Sequence, residues 1–302
     1  MKKYRDLSLV KKGMNIVRRV FDKVKHMIPD KTYLKLQYKY HLGKKLNLGN
    51  PETFNEKLQW LKLNDRKPEY TMYVDKYAVR EHIKNLIGEK YLIPLIGVYD
   101  RVEDIDWDRL PNRFVLKCTH GSSCNIICDD KSRLDITSSK KKLKKWMNRN
   151  WYWYGREWPY KNVKPRIICE KYIVDEFENG LRDYKIFCFN GNPKIIQVIS
   201  ERKGSQYCVD HFDLNWEKIQ IPRKNHQGNK QGIGKPAQLK EMIDIATILG
   251  KEIPFVRIDL YNTQSQILFG EITFYPVSGF MDFEDKKHDN LLGSWIELPF
   301  DK

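Results

Sequence analysis

Apolar residues recur at helical spacing in the first third of the chain. After Asn50 and a proline, the pattern predicts a helix over residues 51–63, with Asn50 as its N-cap. A second helix is predicted between Asp75 and Gly88, because four apolar residues share one face and the glycine ends the pattern. The apolar run over residues 91–99 predicts a strand that is broken by a proline.

From residue 113 onward the pattern changes to short apolar runs separated by turns. These runs predict strands at residues 113–118, 125–128, 166–173, 184–189, 193–200, 254–261 and 266–274. Helices are predicted at residues 138–149 and 237–250. Because helices interrupt the strands, the chain is predicted to have an α+β fold.

Composition narrows the class of protein. A length of 302 residues allows two domains, and 41% hydrophobic and 13% aromatic residues exclude a mainly disordered chain. The net charge of +16 favours a polyanionic partner, such as nucleic acid, an acidic membrane surface or an acidic glycan. Charge alone does not choose among these three partners.

Residues 1–49 form a basic N-terminal segment with apolar residues from Val10 to Ile28 at rough helical spacing. Such a helix either rests on an anionic membrane or packs its apolar stripe on the rest of the protein. No apolar run approaches the ~20 residues of a membrane span, and charges interrupt the region where a signal peptide needs its apolar core. We therefore expect a cytoplasmic protein, and in the first alternative one that is peripheral at the inner membrane face.

The six cysteines never form a Cys-x-x-Cys pair, which argues against a disulfide framework and against a zinc ribbon. We interpret them as reduced core residues. The less favoured alternative is a cysteine–histidine metal site around His120, Cys124 and Cys128.

A lysine and a small-residue loop follow the first of the later strands. Lys117 lies near the end of an apolar strand, and Gly121, Ser122 and Ser123 lie in the loop after it. Backbone N–H groups of such a loop can hold phosphate oxygens, while the lysine adds a point charge. The alternative is a simple hairpin whose lysine reaches solvent.

Three further charged residues lie inside apolar strands. Glu170 and Lys171 are adjacent, so one of them faces the apolar side unless a cleft receives it; the alternative is that the strand ends there. Lys185 lies between apolar residues of a hairpin strand, which is costly for an ammonium group unless an anion meets it. The alternative for Lys185 is an edge-strand lysine that discourages aggregation.

Two strands near the C-terminus carry a pair of carboxylates. Pairing these strands about residue 265 sets Asp259 opposite Glu271, with Cβ atoms ~5 Å apart. Magnesium would offset the repulsion, since it prefers oxygen ligands and bridges carboxylates to substrate phosphates. Thr273 shares the face of Glu271, and Arg257 that of Asp259. The alternative is that Arg257 alone neutralises both carboxylates.

Residues 138–166 interleave a lysine run with tryptophans and tyrosines. This composition suits single-stranded nucleic acid, and indole faces with lysines equally suit an acidic sugar polymer. The alternative is a helix with a solvated basic face followed by tryptophans of the core.

The order of these features resembles the ATP-grasp superfamily. Six phrases are similar to its TupA-like branch, which is linked to teichuronopeptide and other surface-polysaccharide biosynthesis: FNEKLQWLK, FVLKCTHGS, GREWPYKNVKPRIICEKYI, DYKIFCFNG, FVRIDLYN and FGEITFYPVSGF. The resemblance covers residues 50–283 and implies an ATP-grasp fold, in which two α+β subdomains with antiparallel sheets enclose ATP. We expect a basic N-terminal segment (1–49), a helical and strand subdomain (50–112), a small subdomain (113–173) and a large subdomain with the metal site (174–302).

The resemblance also implies roles for single residues. Those expected to contact ATP are Lys117, Gly121, Ser122, Ser123, Glu170, Lys171, Ile173 and Lys185. Lys117, Lys185 and Arg257 are expected to act in catalysis by holding phosphate charge. Asp259, Glu271 and Thr273 are expected to hold Mg²⁺, although Thr273 stands where the wider superfamily commonly has an amide.

The activity implied is that of an ATP-dependent carboxylate–amine ligase, which forms an amide through an acyl phosphate and releases ADP. The expected partners are ATP, a uronate of a capsular or wall glycan, and a small amine such as an amino acid or amino alcohol. One alternative is a glycosyltransferase of the same pathway, which the aromatic segment and the paired carboxylates would suit. The other is a basic nucleic-acid-binding module, which the charge of +16 would suit but the resemblance disfavours.

Overall fold

The computed structural model describes residues 25–174, 181–203, 206–222, 227–263 and 265–299. Most of the apolar stripe predicted near the N-terminus, and with it the segment proposed to meet a membrane, lies outside these residues. No helix of the described residues is long and apolar enough to span a bilayer.

Helices carry the first third of the described chain and flank the strands thereafter. The α-helices are α1 (Asp30–Leu42), α2 (Phe54–Asn64), α3 (Glu69–Val74), α4 (Val79–Leu86), α5 (Ile136–Met147), α6 (Tyr152–Gly155), α7 (Leu239–Gly250) and α8 (Lys286–Ser294). Short 3₁₀ helices lie at Lys25–Met27, Glu89–Tyr91, Val102–Asp104, Lys131–Arg133, Trp158–Tyr160 and Pro276–Gly279.

The strands form two antiparallel sheets. They are β1 (Leu95–Tyr99), β2 (Phe114–Cys118), β3 (Asn125–Cys128), β4 (Ile167–Lys171), β5 (Asp183–Phe189), β6 (Asn192–Lys203), β7 (Gln206–Phe212), β8 (Lys218–Ile219), β9 (Phe255–Asn262) and β10 (Ile267–Thr273). The small sheet has the order β1-β4-β2-β3 and the large sheet the order β10-β9-β5-β6-β7-β8. The mixture of helices with two antiparallel sheets confirms the α+β prediction.

In the small sheet, residues alternate between a core and an open face. Phe114, Leu116 and Cys118 of β2 are buried in a core of their own, against α5, while the residues between them face the other way. Val115 and Lys117 of this open face pair with Glu170 and Ile168 of β4. Paired residues share a face, so Lys117 and Glu170 lie on the same side of the sheet. The boundary predicted at residue 113 between two subdomains stays a prediction. β1 lies before this boundary, yet it pairs with β4 of the small sheet.

In the large sheet, one face packs on α7 and the main core. Ile186 of β5 and Ile258 of β9 are fully buried there, and they stand opposite each other across the two strands. The alternation along these strands puts Lys185 and Asp259 on the other face. The charged residues of both sheets are therefore collected on the faces away from the two cores.

The start of α2 was predicted wrongly. Its N-cap is Thr53 rather than Asn50, since Thr53 Oγ1 accepts a hydrogen bond from the Glu56 amide at 3.2 Å. The Glu56 carboxylate in turn accepts from the Thr53 amide at 3.2 Å. This reciprocal capping box satisfies two backbone donors that Asn50 would have left open.

Other differences follow from weak local patterns. The strand predicted over 91–99 is shortened to β1, because Glu89–Tyr91 forms a 3₁₀ turn. The sequence pattern also missed β7, which lies beside β6 and has only a three-residue apolar run, Tyr207 to Val209, between polar residues. All six cysteines are free, as expected, and the described residues contain no cluster that could hold a metal through cysteine and histidine.

A buried lysine of α2 ties three separate segments together. Lys62 Nζ donates to Gln59 Oε1 at 3.0 Å, to Gly155 O at 2.7 Å and to Ser278 O at 2.8 Å. Burial lowers the pKa of Lys62, and the charge of nearby Glu157 opposes that shift. Since Lys62 is fully buried, these hydrogen bonds hold the chain after α6 and the turn after β10 against α2.

Lys62→Met should destabilise the protein by about 3 kcal/mol or more, because it leaves buried acceptors and Glu157 without their cation. Urea unfolding followed by circular dichroism measures the change in the free energy of unfolding. The matched control is Lys35→Met on the exposed side of α1, which should change stability by less than about 0.5 kcal/mol. Equal stability of the two variants would contradict the role of Lys62.

Candidate active site

The large sheet places the two predicted carboxylates side by side. Asp259 of β9 is opposite Glu271 of β10, so the predicted pairing is confirmed. The register shifts by one residue at a bulge between Phe269 and Glu271, and without this shift Gly270 would stand opposite Asp259. A Cβ atom on Gly270 would lie 2.9 Å from the Asp259 carbonyl oxygen, so a glycine permits the close approach.

Cations from three elements surround this carboxylate pair. Arg257 donates to both oxygens of Asp259, at 2.6 and 2.7 Å, and Lys185 of β5 contacts Asp259 Oδ2. Lys76, in the turn before α4, lies 3.1 Å from Glu271 Oε2. The strand order shows that β5 is an interior strand, so the edge-lysine interpretation of Lys185 is wrong.

These cations control the protonation of Glu271. Burial alone would raise the pKa of this carboxyl, but the charges of Lys76, Lys185 and Arg257 outweigh it and lower the pKa to about 2. Thr273 donates to Glu271 Oε1 at 3.3 Å and accepts from Arg257 at 3.1 Å. Glu271 is therefore ionised at neutral pH, and a hydroxyl oxygen lies beside it.

The small sheet contributes a second charged cluster. The Glu170 carboxylate is buried and lies 2.7 Å from Lys117 Nζ and 3.1 Å from Arg80 Nη1. Lys171, the next residue, is on the opposite face, where it pairs with Phe114, and is exposed because it ends β4. The interpretation in which both charges at the strand end lie in water is therefore wrong for Glu170.

The small-residue loop after β2 is joined to the large sheet. Lys76 Nζ donates to Gly121 O at 2.9 Å while it also contacts Glu271. The ring of Trp151 lies against Gly121, where a Cβ atom would come within 3.1 Å of it. Ser123, at the end of this Gly121–Ser122–Ser123 loop, has a left-handed φ of 58°.

A cavity of about 200 Å³ opens at the other end of β4. Lys171 and Ile173 line it, together with Thr263 and Leu268 from the end of the large sheet. Lys171 and Ile173, both expected to contact ATP, thus line one cavity, away from the loop that holds Gly121.

Sequence reasoning missed Lys76 and Arg80. The four-residue spacing between them was a usable signal, because residues i and i+4 share one helix face. Only the apolar face of α4 entered the prediction. The structure shows that Lys76 reaches the large-sheet carboxylates and Arg80 the small-sheet carboxylate.

The sequence also matches a known family. The model of the TupA-like ATP-grasp family matches residues 56–297, which is most of the chain. The chain belongs to the TupA-like ATP-grasp family. This confirms the family predicted from the six sequence phrases. A search of curated proteins found no match.

Solved structures of other ATP-grasp enzymes resemble this TupA-like protein distantly. D-alanine–D-alanine ligase from Bacillus anthracis has 16% identity and a TM-score of 0.41, over 67% of this chain and 57% of that one. The Helicobacter pylori ligase has 14% identity and a TM-score of 0.41, over 82% and 70%. N5-carboxyaminoimidazole ribonucleotide synthetase from Thermus thermophilus has 11% identity and a TM-score of 0.39, over 67% and 45%. The chain thus spans little more than half of the Bacillus anthracis ligase.

The residues of this TupA-like site fit a magnesium ion bound together with a nucleotide. Magnesium takes hard oxygen ligands, commonly one or two carboxylates plus substrate phosphates. Asp259, Glu271 and Thr273 offer such oxygens on adjacent strands, and the lowered pKa keeps Glu271 deprotonated. The described residues contain no group of three acidic or histidine ligands, so the remaining ligands would come from the nucleotide.

Gly270→Ala should disturb the alignment of the two carboxylates, because the added Cβ meets backbone at 2.9 Å. We expect a loss of about 1–3 kcal/mol in the free energy of unfolding and weaker binding of magnesium nucleotide. Urea unfolding and calorimetry measure the two effects. Gly234→Ala is the matched control, since a Cβ there has no atom within 4 Å. If both variants behave as the parent protein does, the bulge does not align the carboxylates.

Proposed function

We propose that this protein is an ATP-dependent carbon–nitrogen ligase that activates a carboxylate as an acyl phosphate and joins it to an amine. The observation that carries the proposal is the pairing of Asp259 with Glu271 among Lys185, Arg257 and Lys76. Carboxylates surrounded by cations in a partly desolvated site are suited to a magnesium-bound polyphosphate. Family membership supports the same conclusion.

The arrangement of the site supports one orientation of ATP. The cavity lined by Lys171 and Ile173 would take the base and ribose, and Glu170 immediately precedes this lining on β4. Lys117 lies on the open face of the small sheet and Lys185 on that of the large sheet, so both would meet the phosphates. The loop of Gly121, Ser122 and Ser123 would close over the phosphates with its backbone N–H groups.

Phosphoryl transfer then needs positioning and charge neutralisation more than covalent catalysis. A substrate carboxylate oxygen attacks the γ-phosphorus, and the bond to the bridging oxygen breaks with its electron pair leaving on ADP. Arg257 and Lys185 stabilise the negative charge that builds up on the transferred group. When bound, Mg²⁺ held by Asp259 and Glu271, with Thr273 beside them, supplies further charge neutralisation. The amine next attacks the acyl carbon, loses a proton, and phosphate leaves.

We further propose that the carboxylate belongs to a uronic acid of a surface polysaccharide or its precursor, and that the amine is an amino acid or amino alcohol. The similarity to the TupA-like branch and the net charge of +16 support an anionic glycan. The lysines of α5 also support it, since Lys140, Lys141, Lys142, Lys144 and Lys145 are exposed on its solvent side.

The aromatic residues near α5 give less support to a nucleic-acid-binding module. Tyr152 and Tyr160 are buried, and Trp146 and Trp151 pack against the two cores. Stacking on single-stranded bases requires open ring faces. These rings therefore behave as core residues, as the alternative interpretation of the segment had it.

The products of ATP cleavage test the mechanism. In the proposed orientation of ATP the lysines and carboxylates would act on the terminal phosphoryl group, so we expect ADP and phosphate rather than AMP and pyrophosphate. Enzyme, ATP and magnesium are mixed with uronates or sugar-nucleotide uronates and a panel of amines, and the nucleotides are separated by chromatography. Hydroxylamine in place of the amine should trap a hydroxamate. AMP formed in proportion to amide would overturn the mechanism, and UDP released from a sugar nucleotide would favour the glycosyltransferase.

Glu271→Gln should lower ADP formation about a hundredfold or more, because the amide keeps the shape of the side chain but removes a charge that the metal needs. The rate of ADP release is measured with magnesium. Glu252→Gln, on an exposed residue, is the matched control and should keep the parent rate. A Glu271→Gln enzyme with undiminished turnover would refute the assignment of Glu271.

A further inference from the structure

Arg166 is a cation on the open face of the small sheet, and no carboxylate of the described residues forms an ion pair with it. Five basic residues of the site lie in ion pairs with Glu170, Asp259 or Glu271: Lys76, Arg80, Lys117, Lys185 and Arg257. Arg166 is different: its Nε atom is buried, and among the described residues that atom has no hydrogen-bond acceptor. A buried N–H of a charged group without an acceptor is costly, which points to a ligand that supplies a negatively charged acceptor.

Arg166 faces the site. It immediately precedes β4, and its backbone continues the pairing with β2, since the Thr119 amide donates to Arg166 O at 2.9 Å. The Arg166 amide donates to Thr119 Oγ1 at 3.2 Å. Alternation along the strand then puts Arg166 on the face that carries Ile168 and Glu170.

The guanidinium group is held in place by an aromatic ring. Its Cζ atom lies 4.9 Å from the ring centroid of Tyr77. Tyr77 follows Lys76, and its amide donates to the Asp75 carboxylate at 2.9 Å, which fixes the turn. Stacking leaves the planar edge of the arginine free to make two parallel hydrogen bonds to an oxyanion.

The position of Arg166 indicates which oxyanion it meets. Glu170 lies near the cavity proposed for the base, and four residues of extended strand span about 13 Å from it to Arg166. Arg166 is thus at the opposite end of β4, beside Thr119 and the residue that follows Lys76. Lys76 joins Gly121 to Glu271 there, so this is where the proposed site would hold the terminal phosphate.

We propose that Arg166, stacked on Tyr77, binds the γ-phosphoryl group of ATP and keeps hold of it in the acyl phosphate. The inference rests on the proposed ligase function. It adds a phosphate-binding arginine of the small sheet, opposite Arg257 of the large sheet. The transferred group then meets a guanidinium from each side of the cleft, whereas the base, ribose and first two phosphates do not contact Arg166.

Nucleotide binding tests this assignment without knowledge of the acceptor. Calorimetry with magnesium measures the affinity for ADP and for the β,γ-imido analogue of ATP. Arg166→Met should weaken binding of the analogue about tenfold or more and change that of ADP by less than about twofold. The affinity of Arg166→Lys for the analogue should lie between those of the parent and Arg166→Met, because lysine keeps the positive charge but cannot donate two parallel hydrogen bonds. Arg133→Met, on the exposed surface of the same subdomain, is the matched control.

The outcomes separate this inference from the function on which it rests. Retained ADP binding shows that a variant is folded, and if Arg166→Met does not fold, Arg166→Lys decides. An equal loss for both nucleotides, or no loss for either, would overturn the role of Arg166 and leave the ligase proposal in place. If the parent protein binds neither nucleotide, the ligase proposal fails and the role of Arg166 fails with it.

Discussion

Two carboxylates that lie side by side on adjacent strands repel each other, and the rest of the site is arranged around this repulsion. Asp259 and Glu271 are held side by side by backbone pairing, which does not respond to their charge. Arg257, Lys185 and Lys76 supply the compensation, each from a different element. Because charges in a partly desolvated site interact strongly, the cations lower the pKa of Glu271 and keep this carboxylate ionised. A magnesium nucleotide suits such a site, since it brings both a metal and phosphates.

The same charges connect the two sheets. Lys76 belongs to the turn before α4, yet it contacts both the loop after β2 and the end of β10. Arg80, one helical turn later, reaches Glu170 of β4. A single short segment, made of the turn before α4 and the start of that helix, thus contacts both halves of the site. A ligand that competes for Lys76 would change the contact between the small-sheet loop and the large sheet, because one ammonium group serves both.

The proposed mechanism depends mainly on positioning the reacting groups and neutralising their charge. Arginine and lysine side chains from opposite faces can neutralise a phosphoryl group in transfer without forming covalent bonds to it. Arg257 acts from the large sheet, and Arg166 is proposed to act from the small sheet. Both guanidinium groups are held in position by contacts within the protein. Arg257 donates two hydrogen bonds to Asp259, and Arg166 stacks on the ring of Tyr77. Such preorganised charge costs little rearrangement at the moment of transfer.

The sequence by itself determined the strands that carry the site and the residues within them, because the two-residue period of a strand fixes which side chains share a face. It identified Lys117, Lys185 and the opposed Asp259 and Glu271 in this way. Only the tertiary structure decided the contacts between distant segments. The bulge at Gly270 sets the final register, and Lys76, Arg80 and Arg166 reach partners far along the chain. No local pattern encodes such contacts, since they depend on how the helices and the two sheets pack in space.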